Sequence, residues 1–557
     1  MKRRWIVVAA VLLFFFLALD SVVEDSPVVD EQYHVTRGLV YLRTADPRFS
    51  LVHPPLINTL SALPLLTIPD VELPLDDASW EERMGWFPFS RILFWESGLD
   101  VTQAIFLARL PIIFLTLGMA LIGYHFARTF WGPSSAPFAF LLLLFDPNIL
   151  AHGRYSTTDL GGAAFLLLAV FCLWHLWSAD DWSWPRLLLT GTALGLAFSS
   201  KLASPAFVFL FGLVAVLPPL YGRAWNWRNS LRALVQLGLS GLIGLLIVWA
   251  AFAFEWGPFR FNYLESLNRF QGPMPTFWAG LEHVYVLARG GRHAFLLGEY
   301  SYSGFPAYFL MTFLVKTPLP TLLLLLAAAV YLVKRRQKRA RALFLLVPSL
   351  FFFLLLTPNS LNVGYRHLLP VLPFLLLLIS GLASTSLFAF RPPQRLFRDG
   401  WLSTLASLSL PLAVLAILAA DVWIHPHYLS YFNLASGGPE NGHEILIDSS
   451  IDWGQDLIRL KQWIEENDVE EVKLAWYGTA DPDYYGIEYE PLPGMPYHFD
   501  LWGNPPLDRD DPEPGIYAIS VTMLWELPSP EKETFAWFRA REPDDRVGYS
   551  VFIYRVE

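Results

Sequence analysis

The sequence predicts a mainly α, polytopic membrane protein of about eleven transmembrane helices, with a small α/β domain at its C-terminal end on the outer side. Three observations predict it. Charged residues make up 16% of the 557 and hydrophobic ones 54%, whereas soluble domains carry roughly 25% charged residues; mean hydropathy is +0.39. Charge is also divided unevenly, with 26 acidic and 9 basic residues from His425 to Glu557 against 24 and 31 before them, which signals two environments. Finally, Lys and Arg cluster in alternate connections between apolar runs, as cytoplasmic loops require.

A helix needs about 20 apolar residues to cross the hydrocarbon core. Candidate spans lie near 5–20, 105–127, 136–151, 160–178, 186–200, 204–221, 231–254, 318–333, 342–357, 368–388 and 401–424. Asp146 interrupts the third. Segment 53–69 is apolar but carries Pro54, Pro55, Pro64 and Pro69, so it reads as interfacial or re-entrant. With Lys2, Arg3 and Arg4 in the cytoplasm, the same side receives Arg128, Arg186, the Arg223/Arg228/Arg232 group, the basic run 334–341 and Arg391/Arg395/Arg398. The outer side then receives 21–104, 256–317, 358–367 and everything from 425. A cleaved leader over the first 20 residues is the alternative. Leu17–Ser21 makes a poor cleavage site, and the Asp30 loop stays outside either way.

The body is therefore expected over 1–424, with outer loops 21–104 and 256–317, and an acidic extracytoplasmic domain over 425–557. In that domain Glu444–Ser450, Glu471–Tyr477, 515–521 and 548–555 read as strands, and Gly454–Asn467 as a helix with Leu457, Ile458, Leu460 and Ile464 at helical spacing. An acidic surface is a poor match for phosphate-rich nucleic acid, so no nucleic-acid partner is expected. The single cysteine, Cys172, lies in an apolar run, which excludes an intrachain disulfide framework or thiolate metal site.

The polar residues worth chemistry gather in the outer segments. Asp30 and Glu31 stand just beyond the first span, and Tyr33, His34, Arg37, Leu39 and Val40 continue as an amphipathic pattern suited to a membrane surface. His53-Pro54-Pro55-Leu56 forbids a regular helix through the prolines. Arg154 and Asp159 lie five residues apart between two spans, and ionisable groups at that depth face a cavity or a partner. Lys201 sits between apolar runs near the outer interface. Arg366 and His367 occupy a short outer loop, where a retained arginine suggests an anionic partner suited to bidentate contact. Glu299 belongs to a Gly- and aromatic-containing loop. Structural readings stand beside each: a solvated acidic pair, a membrane-entry turn, an Arg154–Asp159 tie between helix ends, a snorkelling lysine, a solvated loop, and Asp452 as a helix cap.

Taken together, the Asp30–Glu31 pair, the His53–Leu56 turn and the Arg154/Asp159 spacing resemble the prenyl-phosphate-dependent glycosyltransferases of the GT-C class, in particular the protein O-mannosyltransferase family. Two departures stand out. The family continues Gly-Lys after the turn, where this chain has Ile57 and Asn58, and no large β-trefoil insert is present in an outer loop.

The resemblance implies an enzyme that moves a hexose or pentose, mannose in the named family, from a polyprenyl-phosphate donor to an acceptor hydroxyl on a protein, glycan or lipid, with inversion. It implies Asp30 as general base with Glu31 beside it. By charge and placement Arg366, Lys201 and Arg154 are the expected phosphate ligands, and His53, Asp159, Glu299 and His367 the expected substrate contacts. No cofactor is expected. A divalent ion among Asp30, Asp159 and Glu299 is conceivable, as in the oligosaccharyltransferase branch, but is not favoured. A transporter or flippase of lipid-linked sugar and a non-catalytic membrane scaffold are the competing classes. The first predicts inverted halves, which the sequence does not display.

Overall fold

The structure is a computed structural model that describes residues 2–69, 71–82, 84–358, 360–388, 401–493, 507–527 and 532–557. The loop holding Arg391, Arg395 and Arg398 lies outside them.

Helix α1 (Lys2–Val23) is the first apolar run. It leads through an extended stretch to α2 (Glu31–Thr44). Pro55 at the first position opens α3 (Pro55–Ala62), where its missing N–H costs nothing. The two helices cross so closely at Gly38 that a Cβ there would sit 1.9 Å from the Asn58 carbonyl oxygen. Every residue of α2 from Glu31 to Val40 is buried, which corrects the expectation of a surface-lying amphipathic helix. The polar residues of that face meet polar partners on α3 and neighbouring elements instead of headgroups.

After a short α4 (Trp86–Arg91), the body continues with α5 (Val101–Phe130), α6 (Ala136–Leu144), α7 (Pro147–His152), α8 (Thr158–Ser178), α9 (Trp184–Ser200), α10 (Phe207–Ala215) and α11 (Trp227–Ala251). The outer loop then forms β1 (Trp256–Pro258) paired with β2 (Gln271–Pro273), helix α12 (Pro275–Leu287), and the hairpin β3 (Ala294–Leu296) and β4 (Glu299–Ser301). Helices α13 (Tyr308–Lys316), α14 (Leu319–Lys334), α15 (Arg336–Leu356), α16 (Leu372–Ser380) and α17 (Trp401–Ile424) complete the body.

All eleven expected spans are helical, wholly or in part. Among the described residues five helices are long and apolar enough to cross a membrane: α5, α8, α11, α15 and α17 from Ser403. Taken as one span, α13 and α14 make a sixth, bent by 113° at Thr317–Pro318. Breaks in the backbone shorten two of the remaining candidates. Asp146 and Pro147 separate α6 from α7, and Pro205 and Pro218 bound α10 with 3-10 turns.

Beyond α17 the chain folds around α18 (Leu457–Glu466), whose Leu457, Leu460, Trp463 and Ile464 pack on a five-stranded sheet. The strands are β5 (Val472–Ala475), β6 (Tyr489–Pro491), β7 (Gly515–Ser520), β8 (Asp545–Val547) and β9 (Val551–Val556), in the order β6-β5-β7-β9-β8. The β6, β5 and β7 neighbours are parallel, and β7, β9 and β8 antiparallel. The expected strand at 444–450 does not form. Asp448 takes φ +56° there, and its N–H donates to the Thr522 hydroxyl rather than to a strand. The four expected outer segments meet one another. Ser26 and Val29 donate backbone bonds to Gln455 and Trp453, Leu297 to Ile445, and Ser360 to Ala288.

Candidate active site

Asp30 occupies the N-cap position of α2 but makes no capping bond. Its carboxylate is instead ion-paired with the Arg366 guanidinium, 336 positions away, with 29% of the Asp30 side chain and 12% of the Arg366 side chain exposed. Two features set Arg366. Gly364, at φ +118°, lets the backbone run so close to the C-terminal region that a Cβ would lie 2.5 Å from Ser449 Oγ. The guanidinium then lies 4.5 Å from the centre of the buried Trp453 ring, a cation–π contact.

A second pair stands beside the first. Lys201, at the C-cap of α9, bonds the Asp159 carboxylate at the start of α8. Asp30 feels the field of Asp159, and both feel Arg366. His34 and His53 fill the space between, their rings edge-on at 4.5 Å. His34 Nδ1 is 2.9 Å from Asn58 Oδ1 and His53 Nδ1 is 3.1 Å from Thr158 Oγ1. His367 stacks on Phe309 at 6.1 Å and feels Lys201 and Arg366. Asp30, Asp159, Lys201, Arg366, His53 and His367 are thus gathered at one place.

Burial alone would raise the Asp30 carboxyl, but the charge and hydrogen bond of the Arg366 guanidinium outweigh it and hold Asp30 below its ordinary range. Burial, with Arg37 assisting, lowers His34 to about 4. Burial also lowers His367 to about 3, with Lys201 and Arg366 assisting, and it takes His53 well below its usual value. The three imidazoles are therefore neutral at pH 7. A histidine whose folded value is depressed binds its proton first in the unfolded chain, so stability falls as pH drops through the unfolded value near 6.5 toward the folded values. Melting of the purified protein is expected to shift several degrees lower between pH 7 and pH 5 and to shift less in His34→Asn. An unchanged melting temperature across that window would contradict buried neutral histidines.

Three expected site residues are elsewhere engaged. Glu31 is fully buried and accepts from Arg109 Nε and Nη2 at 2.9 and 2.6 Å, from the Ser156 N–H at 2.8 Å and from the Val28 N–H at 3.0 Å. It fixes the chain on which Asp30 sits and has no face left for a sugar. Arg154 does not pair with Asp159. It lies 2.7 Å from Asp25 and donates to the Ser21 carbonyl and the Tyr155 hydroxyl, 1% exposed, because the loop after α1 folds over it. Glu299 is exposed on the β3–β4 hairpin, which docks on the C-terminal region through Leu297 and the Tyr300 hydroxyl. Among the described residues nothing joins it to Asp30, and no group of three or more His, Cys, Asp or Glu side chains is placed to hold a metal ion.

Other contributors lie outside the expected site residues. Trp453 supports Arg366, and Asp448, buried in the turn before it, also faces Arg366 and Asp30. Both lie in the Asp448–Asp456 stretch, whose density of acids around a tryptophan was the available signal. Asp452 does not cap α18. It accepts from the Thr522 N–H at 2.8 Å, and burial raises it to about 7. Arg37 is buried over Trp86, 4.7 Å from its ring centre. Asp25 and Arg109 carried no sequence signal beyond being charged near a span.

A helical membrane body with its acids and cations converging under outer loops, and a small sheet region after the last helix, has the GT-C glycosyltransferase fold. Residues 100–250, from the start of α5 to the end of α11, match the model of the family described as Dolichyl-phosphate-mannose-protein mannosyltransferase. That segment includes Asp159 and Lys201 but neither Asp30 nor Arg366. Among solved structures, ArnT from Cupriavidus metallidurans bound to undecaprenyl phosphate is 15% identical, with TM-score 0.50 and coverage of 99% of this chain and 98% of that one. The apo state of ArnT is 14% identical, with TM-score 0.48 and the same coverage. The archaeal oligosaccharyltransferase AglB from Archaeoglobus fulgidus, in complex with an inhibitory peptide and a dolichol-phosphate, is 13% identical, with TM-score 0.42, covering 75% of this chain and 56% of that one. None of the curated proteins matches the sequence.

Proposed function

We propose that this chain is a membrane glycosyltransferase that moves a sugar from a polyprenyl-phosphate donor to an acceptor hydroxyl at the outer face, with inversion at C1. The observation that carries the reading is the Asp30–Arg366 pair, partly open and flanked by Asp159–Lys201. It puts a proton acceptor and two cations, remote in sequence, within one site. The fold shared with ArnT, which binds undecaprenyl phosphate, supports a lipid-phosphate donor.

In this mechanism the acceptor oxygen attacks C1 as the C1–O bond to phosphate breaks. The bonding electrons leave with the phosphate, and the acceptor proton passes to Asp30. A carboxylate held low by a guanidinium is a weak base. Donor phosphate bound to Arg366 and Lys201 shares their charge, so the proton affinity of Asp30 rises when the donor arrives. The same cations stabilise the leaving phosphate, where charge accumulates in the transition state. Ile57 and Asn58 supply no cation beside the His53–Leu56 turn, and Lys201 takes that place. Mannose is the sugar the matched family model favours, and the acceptor is a protein, glycan or lipid hydroxyl. In this reading the N-terminus lies in the cytoplasm and the region from 425 outside, which the Lys and Arg of alternate loops support.

The test is release of polyprenyl phosphate from purified full-length protein given radiolabelled polyprenyl-phosphate mannose, glucose or pentose and candidate acceptors. Donor-dependent release with label moved to acceptor is expected for one sugar. Binding of every donor without release under any acceptor would overturn the reading in favour of a lipid carrier.

A further inference from the structure

A buried cation beside the transfer site has no counter-charge of its own. Arg37 stands seven residues after Asp30 on α2, two turns and about 10 Å further along the same face. It is 5% exposed, and its guanidinium lies 4.7 Å from the centre of the Trp86 ring. Among the described residues no ion pair and no hydrogen bond reaches that guanidinium, and its Nε is enclosed without an acceptor. The other buried arginines among the described residues each hold a carboxylate: Arg109 holds Glu31, Arg154 holds Asp25, and Arg459 holds Asp456. A guanidinium cannot escape the cost of burial by losing its proton. A buried charge left without a partner is strongly unfavourable, which suits Arg37 to an anionic ligand rather than to packing.

The groups around it also lack acceptors. Trp86 Nε1 and Asn58 Nδ2, each on a residue 1% exposed, are enclosed and unpartnered. Asn58 is tied to the transfer site through its Oδ1, 2.9 Å from His34 Nδ1, and the His34 ring lies 4.5 Å from that of His53. On α2, His34 is one turn from Asp30 and one turn from Arg37. Neighbouring side chains thus connect Arg37 to Asp30, and the Asp30 charge acts on Arg37.

Charge counting names the anion. Asp30 cancels Arg366, Asp159 cancels Lys201, and Asp448 is opposed by Arg292, while the three imidazoles are neutral. The charge left over is the positive one on Arg37. A polyprenyl-phosphate sugar is a phosphodiester and carries a single negative charge. After transfer, Asp30 holds the acceptor proton and the phosphate has gained a second negative charge. Arg37, Arg366 and Lys201 then face Asp159 and a phosphate dianion. The site is balanced before and after transfer only with Arg37 included.

We propose that Arg37 binds the phosphate of the donor and supplies the net positive charge that the Arg366 and Lys201 pairs lack. The proposal rests on the sugar-transfer reading above. Trp86 Nε1 and Asn58 Nδ2 offer neutral N–H groups to the same oxygens.

The test is binding of undecaprenyl phosphate, with undecaprenol as the uncharged control, to the purified full-length protein in detergent. The unaltered protein should bind the phosphate more tightly than the alcohol. Arg37→Gln should lose about 10- to 100-fold in phosphate affinity, the scale of a lost hydrogen bond to a charged group, and bind undecaprenol as before. Arg37→Lys should recover part of that loss, since it keeps the charge without the planar fork. Without ligand, Arg37→Gln should melt no lower than the unaltered protein, because it removes an unpaired buried charge. Undiminished phosphate affinity in Arg37→Gln overturns the proposal and leaves the sugar-transfer reading standing. A lower melting temperature with equal loss of phosphate and undecaprenol binding also overturns it, as the mark of a packing role. An unaltered protein that binds both lipids alike overturns the proposal together with the reading it rests on.

Discussion

Asp30→Asn is expected to slow sugar transfer about 10³-fold, the scale of a lost general base, while leaving the protein folded. The amide preserves the shape of the side chain and can still accept from Arg366, so the local packing has little reason to move. What is lost is the site for the acceptor proton. The substitution also releases Arg366 from its carboxylate partner, so donor phosphate meets a guanidinium with no competing anion. Turnover should therefore collapse while donor affinity holds or tightens. A merely structural role for Asp30 would show the opposite pattern, with donor binding, melting and turnover declining together. Transfer at the unaltered rate in Asp30→Asn, in protein of normal melting temperature, would end the assignment of Asp30 as base.

The next residue should behave in the opposite way. Glu31→Ala is expected to cost about 3–5 kcal/mol of stability, because it strands Arg109 with a buried unpaired charge. Arg109 is 1% exposed, its other bonds go to the Val22, Asp25 and Ser26 carbonyls, and the Asp25 carboxylate that also acts on it is already paired with Arg154 and Arg459. The Ser156 and Val28 N–H groups lose their acceptor too, and each buried orphan adds to the cost. The expected readout is a large fall in melting temperature or loss of folded protein on purification. Glu31→Gln, which keeps the acceptor oxygen, should fall less. A Glu31→Ala protein that melts normally and fails only in transfer would return Glu31 to the chemistry.

This contrast shows where sequence reading stops. Asp30 and Glu31 are adjacent carboxylates, and nothing local ranks one above the other. A turn of the backbone at the head of α2 aims Asp30 toward Arg366 and Glu31 inward to Arg109. Arg154 and Asp159 likewise have the spacing of a pair, yet Arg154 turns to Asp25 and Asp159 to Lys201. Charged side chains in a low-dielectric interior take whichever opposite charge tertiary packing brings nearest, and sequence separation has no bearing on that choice. The same reason explains Arg459 on α18, which reaches Asp25 at 2.7 Å and Asp456 at 2.5 Å. It locks the C-terminal region to the loop before Asp30, a contact between parts of the chain more than 400 residues apart.

The sequence by itself determined that this protein is built from apolar helices, that its acidic C-terminal region carries its own sheet and amphipathic helix, and that unusual charges concentrate in segments assigned to one side. Those conclusions depend on local hydropathy, period and charge, which each residue carries with it. Only the tertiary structure decided which charges meet: Asp30 with Arg366, Asp159 with Lys201, Glu31 with Arg109, and Trp453 beneath the guanidinium. Those pairings are set by how helices and outer loops close over one another, a property of the packed chain that no single segment possesses.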